Sequence, residues 1–274
     1  MVKVGYTEFS YGYAFTENLI RSSATAPAGA PVFPNLVQEA TLGYDVKINL
    51  PGQPQFFQFK LPEHMKRSNA FELTNYVCPK LSSPFFRIAL MRRDLSDQHE
   101  NLLDLETTYP NAVFYVAPHL ADTHQFNNSY NKAEVAKDSV YISPQDIGPL
   151  PDDKVHTIAY NASLNVAYFC SKPREIPAKS FSDIEKTITG RLAAATAPIS
   201  RTAAEVRSAV MEFATPVMRD AAARLEQGVL ARAAATTVTA TLDPLVVKTT
   251  ADILIAREVS RISLGLDLVF AQLG

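Results

Sequence analysis

The stretch 42-LGYDVKINLPGQPQFFQFKL-61 decides how the first half of the chain folds. Two runs rich in β-branched and aromatic residues flank a Pro-Gly turn signal, so the stretch predicts a β-hairpin. Because residues i and i+2 of a strand point to the same face, Gln58 and Lys60 share one face, and Phe57 and Phe59 share the other. The hairpin is therefore predicted to have one apolar face and one face that carries polar groups.

The first strand of this hairpin carries an acid, Asp45, and the second strand ends in Lys60. In one interpretation the two form a solvated cross-strand ion pair, which contributes less than about 1 kcal/mol. In the other they belong to a metal site, because metal-assisted phosphodiester hydrolysis needs carboxylates around the ion and a positive group near the attacking water. A further acid can reach this edge from the preceding helix, Glu17, or from the segment before the hairpin, Glu39.

This combination of a helix acid, a strand acid and Gln-x-Lys on the next strand resembles the PD-(D/E)XK, or restriction-endonuclease-like, nuclease superfamily. This version of the motif is similar to that of Mrr-type and Holliday-resolvase-like enzymes, in which Gln often replaces the acid before x-Lys. The resemblance covers roughly residues 8–62 and continues through a strand–helix–strand unit to about residue 118. It implies an α/β fold with a mixed central sheet and flanking helices.

The resemblance also implies a set of metal ligands for Mg²⁺ or Mn²⁺. Asp45 would be the principal ligand, and Glu17 would be the second acid, with Glu39 as the alternative. The carbonyl oxygen of Phe59 would be a further ligand.

The Gln-x-Lys pair has its own implied roles in catalysis. Gln58 would orient the water or the metal, and Lys60 would stabilise the attacking hydroxide or the charge on the phosphate. The function implied is an endonuclease that acts on nucleic acid, with DNA favoured over RNA as the expected substrate, of the kind found among bacterial defence or DNA-processing effectors. That extension to a biological role is an analogy at the level of fold.

A second polar cluster lies in 91-MRRDLSDQHENLLDLE-106, where a strand ends and a helix begins. Arg92 and Arg93 close the strand, and Gln98 and His99 lie on the first turn of the helix. Since a helix N-terminus with nearby arginines favours phosphate, these four residues are predicted to contact the substrate phosphate. The alternative is a normally capped helix with charges on its surface.

Composition narrows the class of protein. The chain has 274 residues, 47% of them hydrophobic, and a formal net charge of −2, which excludes a strongly basic protein that coats nucleic acid. Cys78 and Cys170 lack C-x-x-C spacing, and His119 and His124 lack a third zinc ligand. Without a signal peptide or a run of about 18 apolar residues, we expect a cytoplasmic protein that does not contact the membrane.

A change in composition near residue 175 predicts two domains, with the boundary at residue 178. Residues 1–178 are rich in aromatic residues and proline and form the nuclease-like α/β domain. Residues 179–274 are rich in alanine and threonine and are predicted to be an all-α region for oligomerisation or partner docking. Capping boxes and capping residues before proline predict helices in this region at about 183–196, 202–213, 216–235 and 244–272.

The last of these predicted helices carries an apolar stripe at heptad spacing. Its members are Ile255, Val259, Ile262, Leu266, Val269 and Leu273. The stripe is compatible with the core of a helical bundle, with a dimer seam or helical partner contact through 244–274, or with a helix lying on a membrane. It also motivates an alternative function, a non-catalytic scaffold or sensor that assembles through these helices.

Overall fold

A computed structural model describes residues 2–22, 51–75, 78–163, 165–236 and 243–272. The described residues fall into two compact units. The first contains residues 2–22 and 57–187, and the second contains residues 51–56 and 188–272. Helices and strands occur in both, so the predicted α/β class is confirmed.

The first unit combines short helices with antiparallel strands. Its helices are α1 (Glu8–Ser22), α2 (Phe71–Asn75), α3 (Gln98–Thr108), α4 (Thr123–Asn131), α5 (Pro144–Ile147) and the start of α6 (Phe181–Ala194). Its strands are β1 (Val2–Lys3), the end of β2 (Gly52–Phe59), β3 (Glu63–Met65), β4 (Phe85–Leu90), β5 (Val113–Pro118), β6 (Ser139–Ile142), β7 (His156–Tyr160), β8 (Val166–Phe169) and β9 (Arg174–Pro177).

Six of these strands form one sheet in the order β1-β3-β4-β7-β8-β9. Every neighbouring pair in it is antiparallel. At its centre Ile88 lies opposite Ile158, and both side chains are fully buried. Arg87 forms ion pairs with Glu63 on the next strand and with Glu72 on α2, which fixes that helix to the sheet.

The end of β2 belongs to a second sheet, in which it is followed by β5 and then β6. All six residues of β5 are buried, as expected for a strand covered on both faces. Phe57 and Phe59 of β2 both contact the ring of Phe15 on α1, at centroid distances of 5.4 and 5.1 Å. Gln58, by contrast, is hydrogen-bonded to Gln98 on α3. The predicted alternation along this second strand is therefore confirmed, and the first strand of the predicted hairpin lies outside the described residues.

Gly12 allows α1 to pack closely on this strand. A Cβ atom built at Gly12 would lie 2.9 Å from Cδ2 of Phe59, which is shorter than a normal carbon–carbon contact. Phe59 is itself buried, so its ring cannot easily move away. The glycine in 11-YGYAF-15 therefore sets the distance between the helix and the hairpin strand.

The second unit is built mainly from helices. It contains the end of α6, α7 (Ile199–Glu212), α8 (Pro216–Thr236), α9 (Pro244–Val259), a π-helical turn (Ser260–Leu264) and β10 (Asp267–Gln272). Arg207 on α7 donates to Glu226 on α8 at 2.8 and 2.7 Å and to Asp252 on α9 at 2.7 Å. This ion network ties the three helices together.

The predicted helix over 244–272 is wrong at its C-terminal end, and the region is therefore not all-α. The helix stops at Gly265, whose φ of 67° is left-handed, and the chain continues as β10. Glycine adopts that conformation without a steric penalty and commonly ends helices. Ile255, Val259 and Leu266 of the apolar stripe are buried inside the unit, which agrees with the bundle-core interpretation, whereas Ile262 of the same stripe is exposed.

The predicted helix starts are confirmed where a capping residue precedes proline. Helices α8 and α9 begin at Pro216 and Pro244, and the side chain of Asp243 accepts a hydrogen bond from the Leu245 N–H at 2.8 Å. The other two helices begin two or three residues before the predicted positions. For α6 the actual capping pair is Ser180 with Asp183, which exchange hydrogen bonds.

Candidate functional site

Lys60 follows the last residue of β2 and is half-buried. Its backbone N–H donates to the carbonyl of Val116 on β5 at 2.9 Å, so the sheet fixes the backbone beneath the side chain. Its ammonium nitrogen lies 5.9 Å from the centre of the Tyr115 ring. Burial lowers the pKa of Lys60, and the nearby carboxylate of Glu8 opposes this shift.

Gln98 connects the two polar residues of the hairpin strand. Its Oε1 atom accepts from Nζ of Lys60 at 3.3 Å, and its Nε2 atom donates to Oε1 of Gln58 at 3.0 Å. Gln58 in turn donates from Nε2 to the carbonyl oxygen of Phe59 at 3.3 Å. The predicted polar face thus becomes a hydrogen-bonded chain between β2 and the first turn of α3.

His99, the neighbour of Gln98, supports this arrangement from the interior. Its Nε2 atom lies 2.8 Å from the carbonyl oxygen of Gly148, and its Nδ1 atom lies 2.9 Å from the hydroxyl of Tyr115. A carbonyl can only accept, so Nε2 carries the hydrogen and Nδ1 accepts from Tyr115. Burial lowers the pKa of His99, which favours this neutral form. The imidazole therefore holds the tyrosine ring beside Lys60.

Glu8 is the carboxylate whose electrostatic interaction with Lys60 the structure records. It lies on the first turn of α1. Partial burial raises the pKa of Glu8, while the charge of Lys60 and the backbone N–H of Leu61 act in the opposite direction. Sequence reasoning missed this residue, because its relation to Lys60 depends on how α1 crosses the sheet.

Glu17 lies elsewhere on the same helix. It forms an ion pair with Arg21 and accepts a hydrogen bond from Asn18 at 3.1 Å, and the Arg21 guanidinium lies over the ring of Tyr130 on α4. At 1.5 Å per residue, Glu17 is about 13.5 Å further along the helix axis than Glu8. Its role as a second acid stays a prediction, and Glu8 is the acid whose charge acts on Lys60.

The two remaining acids of the predicted site, Asp45 and Glu39, lie outside the described residues. Within the described part of the chain, no group of three or more His, Cys, Asp or Glu side chains could hold a metal ion. The amide oxygen of Gln58 and the carbonyl oxygen of Phe59 are of the hard type that Mg²⁺ and Mn²⁺ prefer, and they accept hydrogen bonds from Gln98 and Gln58. The carboxylates of the predicted metal site therefore have to come from Asp45 and Glu39, outside the described residues, or from Glu17.

The predicted phosphate-contact residues separate into two groups. Gln98 joins the Lys60 site and His99 is buried behind it. Arg92 donates to Asp94 on its own turn at 2.9 and 2.5 Å, and Arg93 donates to Asp153 at 2.8 Å. Both arginines remain partly exposed at the surface, where such pairs are weak and can exchange partners.

Comparisons with protein-family models, with characterised proteins and with solved structures found no match for this chain. Among the described residues, no helix has both the length and the apolar character needed to cross a membrane.

Proposed function

We propose that this chain is a metal-dependent endonuclease of the PD-(D/E)XK type whose reacting centre is the polar face of β2. The observation that carries the proposal is the half-buried Lys60, which shares a face with Gln58 and is held by Gln98. A lysine removed from water is costly, and enzymes commonly accept that cost where a charge must be stabilised during reaction.

Each residue has a chemical part in the proposed hydrolysis. Lys60 donates hydrogen bonds to the attacking hydroxide or to the phosphate oxygen that gains charge. Gln58 orients the water, and Asp45 with Glu17 or Glu39 would hold Mg²⁺ or Mn²⁺, with the Phe59 carbonyl as a further ligand. When bound, the ion would supply Lewis-acid activation of the phosphate and of the water. Glu8 joins this set as a carboxylate whose charge acts on Lys60.

The substrate and setting are part of the same proposal. The resemblance of the Gln-x-Lys hairpin favours DNA over RNA and a defence or DNA-processing role in the cytoplasm. The surface arginines Arg92 and Arg93 would guide the phosphate backbone, because their ion pairs are exposed and replaceable.

Cleavage of plasmid DNA with Mg²⁺ or Mn²⁺ tests the proposal. Lys60→Met and Asp45→Asn should each lower the cleavage rate by a factor of about 100 or more, in line with the loss of a group that stabilises transition-state charge. Lys172→Met, which removes an exposed lysine from a turn, is the matched control and should cleave like wild type. Equal cleavage by Lys60→Met and wild type would contradict the proposal, as would no cleavage of double- or single-stranded substrates.

A non-catalytic assembly protein is the second candidate. Helices α8 and α9 expose large apolar side chains, Val217, Leu230 and Leu245, which is the observation in its favour. In this alternative the chain forms a homo-oligomer or binds a helical partner through its C-terminal helices. A mass measurement in solution on wild type and on a Val217→Ser/Leu245→Ser variant tests this alternative. A monomeric wild type would rule out the homo-oligomer.

A further inference from the structure

The hydrogen-bonded chain between β2 and α3 has a fixed direction. The ammonium of Lys60 has donors and no acceptor, so the amide oxygen of Gln98 must face it. The amide nitrogen of Gln98 then faces Gln58, whose own oxygen must turn toward Gln98. The nitrogen of Gln58 is left to donate to the Phe59 carbonyl. The lack of an acceptor on Lys60 thus fixes which end of each amide faces which neighbour.

The first turn of α3 is itself held in place, so it can fix this series of hydrogen bonds. The N–H of Gln98 donates to the hydroxyl of Ser96 at 3.2 Å. The next residue, His99, is buried and bonded through both ring nitrogens to Tyr115 and to the backbone of Gly148. Tyr115 also lies beneath the ammonium of Lys60. Helix α3 therefore positions that lysine in two ways, directly through Gln98 and indirectly through His99 and Tyr115.

We infer that Gln98 is a positioning residue that sets the orientation of both Gln58 and Lys60, rather than a contact to the substrate phosphate. The inference deepens the proposed nuclease function and rests on it for its catalytic consequence. It assigns Gln98 a role different from that of Arg92 and Arg93, although all three lie in one sequence cluster. The amide works through its two neighbours and touches no reacting atom.

Two substitutions separate this role from a direct phosphate contact. Gln98→Leu has a similar size and removes both hydrogen bonds, whereas Gln98→Glu keeps an acceptor for Lys60 and loses the donor to Gln58. Asp104→Asn, an exposed change on the same helix, is the control. The measurements are kcat and KM for cleavage of a DNA duplex with Mn²⁺, together with NMR spectra of the lysine side chains at one fixed pH, in which Lys60→Met identifies the Lys60 signal.

We expect Gln98→Leu to lower kcat by a factor of ten or more and to leave KM within about twofold, the pattern of an interaction used only in the transition state. In the NMR spectra, both Gln98→Leu, which removes the acceptor, and Gln98→Glu, which replaces it with a carboxylate, should shift the signal of the Lys60 ammonium. Asp104→Asn should leave the kinetic constants and the Lys60 signal unchanged.

The outcomes that overturn the inference are distinct from those that overturn the nuclease proposal. A raised KM with unchanged kcat in Gln98→Leu would mean that Gln98 contacts the substrate. An unchanged Lys60 signal in both Gln98 variants would mean that Gln98 does not position Lys60. If wild type cleaves nothing, the nuclease proposal fails, and the NMR spectra alone still decide whether Gln98 holds Lys60.

Discussion

Nζ of Lys60 lies 3.3 Å from Oε1 of Gln98, although the two residues are 38 positions apart in the chain. One follows a sheet strand and the other begins a helix. Their contact joins two polar clusters that are separate in the sequence, the Gln-x-Lys of the hairpin and the start of α3. The result is one compact polar site on one face of β2.

Lys60 should reduce the stability of the fold at neutral pH. Burial lowers its pKa, so the folded state disfavours the charged form that the unfolded chain carries. We expect Lys60→Met to keep or raise the melting temperature at pH 7 while cleavage is lost, as is common for residues kept for function.

The difference in stability between Lys60→Met and wild type should depend on pH with a definite sign. Between the lowered pKa and the usual value near 10.5, the unfolded chain binds more protons at Lys60, so wild-type stability rises with pH. The extra stability of Lys60→Met over wild type should therefore shrink as the pH approaches 10. Urea unfolding from pH 7 to 10 measures this difference in the free energy of unfolding. A difference that grows with pH would contradict the burial of Lys60.

Gly12→Ala should destabilise the packing of α1 on β2. The added Cβ would lie 2.9 Å from the ring of Phe59. Overpacking of this kind costs about 1–3 kcal/mol, which exceeds the gain in helix propensity of about 1 kcal/mol. Gly190→Ala in α6 is the control, since nothing lies within 4 Å of its Cβ position, and it should be neutral or stabilising. Chemical denaturation compares the two, and equal stabilisation by both would disprove the close approach.

Glu106 should make stability fall as pH rises above 4.5. Burial raises its pKa, against hydrogen bonds from Ser143 at 2.7 and 2.8 Å and from the Gln145 N–H at 2.9 Å. Because the pKa of Glu106 is higher in the folded state than in the unfolded state, the folded state binds more protons between these two pKa values. The contribution of Glu106 to stability is therefore lost as the pH rises through the folded pKa. The stability of wild type relative to Glu106→Gln should therefore decrease from pH 4.5 to 7 in urea unfolding; an increase would refute it.

Arg207 should contribute strongly to the stability of the second, mainly helical unit. Arg207→Met leaves the buried carboxylate of Asp252 with Lys248 as its remaining recorded partner, at 2.9 Å. Removing one partner of a buried pair costs about 3 kcal/mol or more. Arg201→Met is the matched control, because its pair with Glu205 is exposed and is worth about 0.5 kcal/mol. A similar small loss in both variants would show that the network contributes little.

The amino-acid sequence by itself determined the features that depend on neighbouring residues. The alternation that places Gln58 and Lys60 opposite Phe57 and Phe59 follows from the two-residue period of a strand, and the contacts with Gln98 and Phe15 agree with it. The starts of α8 and α9 follow from a capping residue before proline, which acts within one turn.

Only the tertiary structure decided which distant groups meet. It turns Gln98 toward Lys60 and Gln58 while His99 points into the core, and it makes Glu8 the carboxylate whose charge acts on Lys60. These outcomes depend on how α1 and α3 cross the sheet, which is set by the packing of many side chains at once. Local periodicity carries no record of that packing, because contacts between distant segments are fixed by the shape of the whole core.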